Sequence, residues 1–224
     1  MTSEIPVVTG SARPPQKADV LARACAALTA GDADAAKAIN DTDYPLVLSA
    51  AVQRRYTLPE MLRTFYRNGF LDRYTGDRLI HPGALRTLSM LLPEEFPAHP
   101  NGKLTETHFA LWELFPTIDH LDPVARGGAD KASNWVTTSM LRNSAKAHWR
   151  PDELGWTLHP PGDAQHWDGL SGWLTDYLTE HPALASSSGY LRRWLRATHA
   201  VQAETRLNCG ARSRRQNRGS TSRQ

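Results

Sequence analysis

The sequence predicts an α+β protein, mostly helical, in which a small strand–strand–helix core is flanked by helical lobes. Three observations predict it. Apolar residues recur at helical spacing through the first third of the chain and again after residue 168. A β-branched and aromatic run, Trp135-Val136-Thr137-Thr138, interrupts that pattern. Thr117-Ile118-Asp119 reads as the end of a strand and is followed by a long loop with Pro123, Gly127 and Gly128.

The elements follow in order. Residues 1–17 hold Pro14-Pro15, Gly and Ser without periodicity and are expected to be disordered. A helical lobe is expected over 18–70. "KADVLARACAALTAG" stops at Gly31, and "DADAAKAIN" starts on Asp caps. "PLVLSAAVQRRY" places Pro45 at a first helical position, and "LPEMLRTFYRNG" ends at Gly69. The core is expected over 71–150. It opens with a tight turn or hairpin at Tyr74-Thr75-Gly76-Asp77. Two helices follow, "ALRTLSMLLPEEF" up to Pro93 and "LTETHFALWELF" with Thr105 as its cap. Then come a strand ending at Asp119, the loop Leu121 to Ser133, the strand at Trp135, and a helix Met140–His148 capped by Ser139. A short strand at Trp156–Leu158 and two closing helices make a C-terminal extension over 151–204, and a basic disordered tail fills 205–224.

Composition bounds the function. Of the 224 residues, 40% are hydrophobic and 22% charged, as in globular proteins. No apolar run reaches about 18 residues, so no membrane partner is expected. The start of the chain lacks a basic stretch followed by an apolar one, so no signal peptide is expected and the cytoplasm is the default compartment. Cys25 and Cys209 form no CxxC pair, which argues against a zinc ribbon and a disulfide scaffold. The net charge is +3, but six arginines from Arg206 onward leave −3 on the rest. Any nucleic-acid surface on the body is then a local patch, and the tail either attracts phosphates or serves as a solubilising end.

The segment Phe115 to Trp149 carries the chemistry. If its strands pair and the helix packs back, Asn143 faces Asp119 at the end of the first strand. A carboxylate and an amide oxygen are hard ligands suited to Mg²⁺, or to Mn²⁺. Mg²⁺ takes only one or two protein ligands where substrate phosphates complete the shell. His120 follows at once, turned to the other face of the strand, and a neutral imidazole there can take a proton from an attacking water. Asn134 can bridge the loop and hold His120 in place. Lys146 lies three residues after Asn143 on the same helical face and can balance phosphate charge. Arg126 and Arg142 flank these residues as candidate DNA-backbone contacts.

These residues resemble the HNH nucleases, whose shared core is a ββα-metal fold. The match is "DH" at 119–120, Pro123, "GG" at 127–128, Asn134, and Asn143 with Lys146 three later. It covers about 35 residues. The resemblance implies Asp119 and Asn143 as metal ligands, His120 as general base and Asn134 as a brace. Its Asp-with-Asn pairing is similar to the HNH domain of RNA-guided nucleases and to phage junction-resolving enzymes. It implies a metal-dependent endonuclease on DNA, most simply double-stranded, leaving 5′-phosphate and 3′-hydroxyl ends. The helix from Met140 is then expected near the minor groove. Two departures stand out: no CxxC pairs surround the core, so no structural zinc is expected, and position 147 is Ala where some members supply another ligand. A specificity partner, a catalytically weak DNA-binding or regulatory protein, and an RNase or toxin-type nuclease stay open.

Overall fold

The computed structural model describes residues 16–46 and 55–220, with 205–220 as backbone only. It is mostly helical with one two-stranded antiparallel sheet, an α+β architecture. The chain divides into two compact units, Met1–Ala50 and Ala51–Gln224. The helical lobe expected over 18–70 is therefore split: its last helix belongs to the second unit. Among the described residues, no helix is long and apolar enough to cross a membrane.

The first unit is a helix pair, α1 (Lys17–Thr29) and α2 (Ala33–Asp43). Gly31 turns between them at φ 82°, which only glycine adopts freely. Asp32 caps α2 by accepting from the Ala35 amide at 2.8 Å. Val20, Ala24 and Ala36 are its buried apolar residues. Pro45 stands outside the helices. The rest of the helix expected from "PLVLSAAVQRRY" lies largely outside the described residues.

In the second unit, α3 (Leu58–Arg67) begins at a reciprocal cap. Thr57 accepts from the Glu60 amide, and Glu60 accepts from the Thr57 amide at 2.8 Å. The tight turn or hairpin expected at Tyr74 takes the form of a turn closed by one bridge, Leu71 with Arg78. Next come α4 (Pro82–Leu91) and the four-residue α5 (Ala110–Glu113). The longer helix expected over 104–115 does not form. Thr107 is extended, with φ −130° and ψ 129°, because its hydroxyl accepts the His99 amide and the His108 amide goes to Pro97. Local hydrogen bonding has displaced the helix there.

The sheet pairs β1 (Pro116–His120) with β2 (Trp135–Ser139), and α6 (Met140–Lys146) follows directly. Ser139 caps α6, accepting from the Arg142 amide at 3.1 Å. No strand forms at 156–158. The chain closes with α7 (Ser171–Glu180), α8 (Pro182–Ser187) and α9 (Gly189–Ser220). Thus most of the segment expected to be a disordered tail continues α9; Ala, Arg and Gln propagate a helix well.

The main core joins Leu62 and Phe65 of α3, Phe70, Ile118 of β1, and Trp194, Ala197 and Val201 of α9. A second cluster joins Ala84, Leu174, Leu178 and Leu191. Between them His81 is fully buried. Its Nδ1 accepts the Gly83 amide at 2.9 Å, so Nε2 carries the proton and donates to the Thr198 hydroxyl at 3.0 Å. Burial pushes its pKa down to about 3. The unfolded chain takes up a proton near pH 6.5 that folded His81 refuses. This contribution to stability is full above pH 6.5 and shrinks as pH falls toward 3. We expect the urea midpoint, followed by tryptophan fluorescence, to drop between pH 7 and 5, and to drop less in His81→Gln.

Candidate functional site

Asp119 and His120 end β1, and alternation sends their side chains to opposite faces. Asp119 points toward α6 and the turn at 71–78. Its Oδ2 accepts from the Tyr74 hydroxyl at 2.6 Å and faces Lys146 Nζ at 3.0 Å. Its Oδ1 has only a longer contact with Lys146, at 3.3 Å. The Lys146 side chain is fully buried and also donates to the His120 carbonyl at 2.8 Å. The spacing predicts an ammonium facing phosphate; the structure turns it inward onto the strand end. Tyr74 stays protonated: burial, then the Asp119 charge, then the bond it donates hold its phenol well above the usual range.

Tyr74 is placed by Asp72. That buried carboxylate accepts from the Tyr74 amide at 2.9 Å, the Ser139 amide at 2.9 Å and the Thr138 hydroxyl at 3.0 Å. One carboxylate thereby ties the turn to the β2–α6 junction.

On the other face, His120 is 1% exposed. Its Nε2 lies 2.8 Å from Asp130 Oδ1. Asp130 also accepts from the Trp135 indole at 2.9 Å and the Tyr56 hydroxyl at 3.3 Å. Burial works against its charge, but the bonds from His120, Trp135 and Tyr56 outweigh that and hold its carboxyl below the usual range. An ionised acceptor fixes the proton of His120 on Nε2. The other nitrogen, Nδ1, is buried without a hydrogen-bond partner. A buried orphan of this kind costs about 1–3 kcal/mol.

Asn134 ties the loop together. Its amide nitrogen donates to the carbonyls of Asp122 at 2.8 Å and Ala129 at 2.9 Å, and its oxygen accepts the Asp122 amide at 2.9 Å. The two glycines serve the same loop. Gly127 has φ 91°, and a Cβ on Gly128 would meet the Asp122 carbonyl oxygen at 1.9 Å. Asn143 reaches β1 through its amide nitrogen, to the Thr117 hydroxyl at 3.1 Å and the Ile118 carbonyl at 3.3 Å. α6 ends at Ala147, whose φ of 50° with ψ −117° is a strained position for a residue with a Cβ.

The structure thus places Asp119, Asn143 and Lys146 on one side of the β1 end and the His120 imidazole with Asp130 on the other, with Asn134 bracing the loop. The two candidate arginines are engaged elsewhere. Arg126 pairs with Glu153, and the Arg142 guanidinium lies 5.1 Å from the Trp156 ring centroid. Sequence reasoning missed Asp130, Tyr74 and Asp72. Asp130 is a single acid in a loop, and Tyr74 lies 45 residues before Asp119; neither spacing carries a signal.

Asp119 and Asn143 have the chemistry of a hard-cation site. Asp119 Oδ1 keeps capacity for a ligand, and none of the described hydrogen bonds uses the Asn143 amide oxygen. Among the described residues no group of three or more His, Cys, Asp or Glu side chains is arranged to hold a metal. A pair of hard ligands such as Asp119 and Asn143 suits Mg²⁺, which keeps waters and takes substrate oxygens. Comparison with known proteins finds no matching family model, no matching curated protein and no matching solved structure.

Proposed function

We propose that this protein is a metal-dependent endonuclease of the HNH type that hydrolyses phosphodiester bonds in duplex DNA. One observation carries the reading: His120 Nδ1 has no hydrogen-bond partner, while Nε2 lies 2.8 Å from the Asp130 carboxylate, which in the neutral imidazole draws the proton to Nε2. That is the state a general base needs. The paired strands with α6 against them, and Asp119 beside that base, are the supporting frame.

In this reading His120 Nδ1 takes a proton from water as the water oxygen bonds to phosphorus. The bond from phosphorus to the 3′ oxygen breaks, and that oxygen is protonated from solvent. Asp130 stabilises the imidazolium that forms. Asn134 keeps the loop, and with it Asp130, in register with β1. Lys146 holds the end of β1 by its bonds to Asp119 and the His120 carbonyl. A divalent cation held by Asp119 and Asn143, Mg²⁺ or Mn²⁺, would stabilise charge on the phosphate and the leaving oxygen. A second reading is a catalytically weak DNA-binding protein. It is favoured by the ion pair of Lys146 with Asp119 and by the burial of His120.

End-group analysis separates the two. Plasmid DNA incubated with Mg²⁺, Mn²⁺ or Zn²⁺ is expected to give breaks with 5′-phosphate and 3′-hydroxyl ends, substrates for ligase. Ends bearing a 3′-phosphate would sink the mechanism, and uncut DNA under every cation would leave the binding reading.

A further inference from the structure

The outer edge of β2 carries a feature that the chemistry at His120 does not use. β1 pairs with one edge of β2. Away from that pairing, the Arg67 guanidinium donates to the Trp135 carbonyl at 2.8 Å and the Arg73 amide donates to the Thr137 carbonyl at 2.9 Å. A cavity of about 280 Å³ opens there, lined by Arg67, Asn68, Arg73, Leu121, Ser133 and Trp135 among others.

Both guanidiniums are held by neutral acceptors. Besides the Arg67 bond, Arg73 Nε donates to the His159 carbonyl at 2.6 Å, and its Nη1 donates to Asn68 Oδ1 at 2.6 Å. No ion pair among the described residues includes either arginine. Burial, then the charge of Arg67, pull the Arg73 guanidinium below its usual range. Two cations thus share a partly dry cavity, and no anion among the described residues pairs with them. Held arginine forks of this kind favour planar recognition of phosphate. The volume is just under the ~300–1,000 Å³ of sites for whole small molecules, so a phosphate group fits the space better than a bulky cofactor.

We propose that this cavity grips a backbone phosphate of the nucleic-acid substrate, an inference that rests on the nuclease reading above. Trp135 sets its place. The same residue lines the cavity, is the β-partner of His120 and bonds Asp130. A strand anchored at Arg67 and Arg73 is therefore led past the general base.

Binding of a labelled DNA duplex, followed by anisotropy in EDTA across a KCl series, tests this without turnover. Arg67→Gln/Arg73→Gln is expected to weaken binding at least ~10-fold and to reduce the salt slope by about 1 for each phosphate no longer neutralised. Arg67→Gln alone, an exposed side chain with one neutral bond, is expected to shift both in the same direction. Unchanged affinity and slope in both variants overturn the proposal. Pocket-dependent binding without cleavage in Mg²⁺ keeps the phosphate site and removes the catalytic reading. If the wild type binds no DNA, inorganic phosphate becomes the probe. A thermal shift in the wild type that the double variant lacks then keeps a free-phosphate site, and no shift in the wild type overturns it.

Discussion

Replacing His120 by alanine is expected to lower DNA cleavage by about 10²–10⁴-fold, the usual contribution of a positioned general base. DNA binding in EDTA stays near the wild-type level, because a 1%-exposed imidazole contributes little to the outer surface. The variant removes the buried unpartnered Nδ1 and, with it, the Nε2 bond to Asp130. His120→Gln is the sharper comparison: it retains a donor for Asp130 and supplies no base. Equal cleavage by the wild type and both variants would falsify the assignment of His120.

The second large effect is on stability. Lys146 is fully buried against Asp119, with Nζ 3.0 Å from Oδ2. Lys146→Ala removes one partner and leaves the Asp119 carboxylate buried with Tyr74 alone. Breaking a buried pair in this way costs about 3–5 kcal/mol. Urea unfolding reads it directly, since all seven tryptophans lie beyond residue 51 and report on the second unit. Adding Asp119→Asn to Lys146→Ala is expected to cost less than the two single changes summed, since the pair acts as one unit. A loss under about 1 kcal/mol in Lys146→Ala would place the ammonium outside the buried pair.

The strand–loop–strand–helix order was legible because its signals are local. β-branched residues mark β2, Ser139 marks the start of α6, and a glycine pair marks the loop. Asn134 was legible as a brace for the same reason, since both its partners lie in the loop it closes. What the sequence concealed depends on long-range packing. Nothing local distinguishes a solvated Lys146 from one drawn inward by Asp119 and the His120 carbonyl. Asp130 gains its role only when the loop folds back on β1, and Tyr74 only when Asp72 docks the turn on β2. The helix expected over 104–115 failed where one threonine hydroxyl captured a distant amide. The split of the first helical lobe was equally hidden, because helical spacing is the same on either side of it.

In the proposed reading, His120 hydrolyses DNA with a cation that Asp119 and Asn143 would hold. Supercoiled plasmid incubated with wild-type protein and with His120→Ala, each in EDTA and in Mg²⁺, tests it most directly. Nicked or linear product is expected in one lane of the four, wild type with Mg²⁺. Product of equal amount in EDTA, or from His120→Ala, would contradict it.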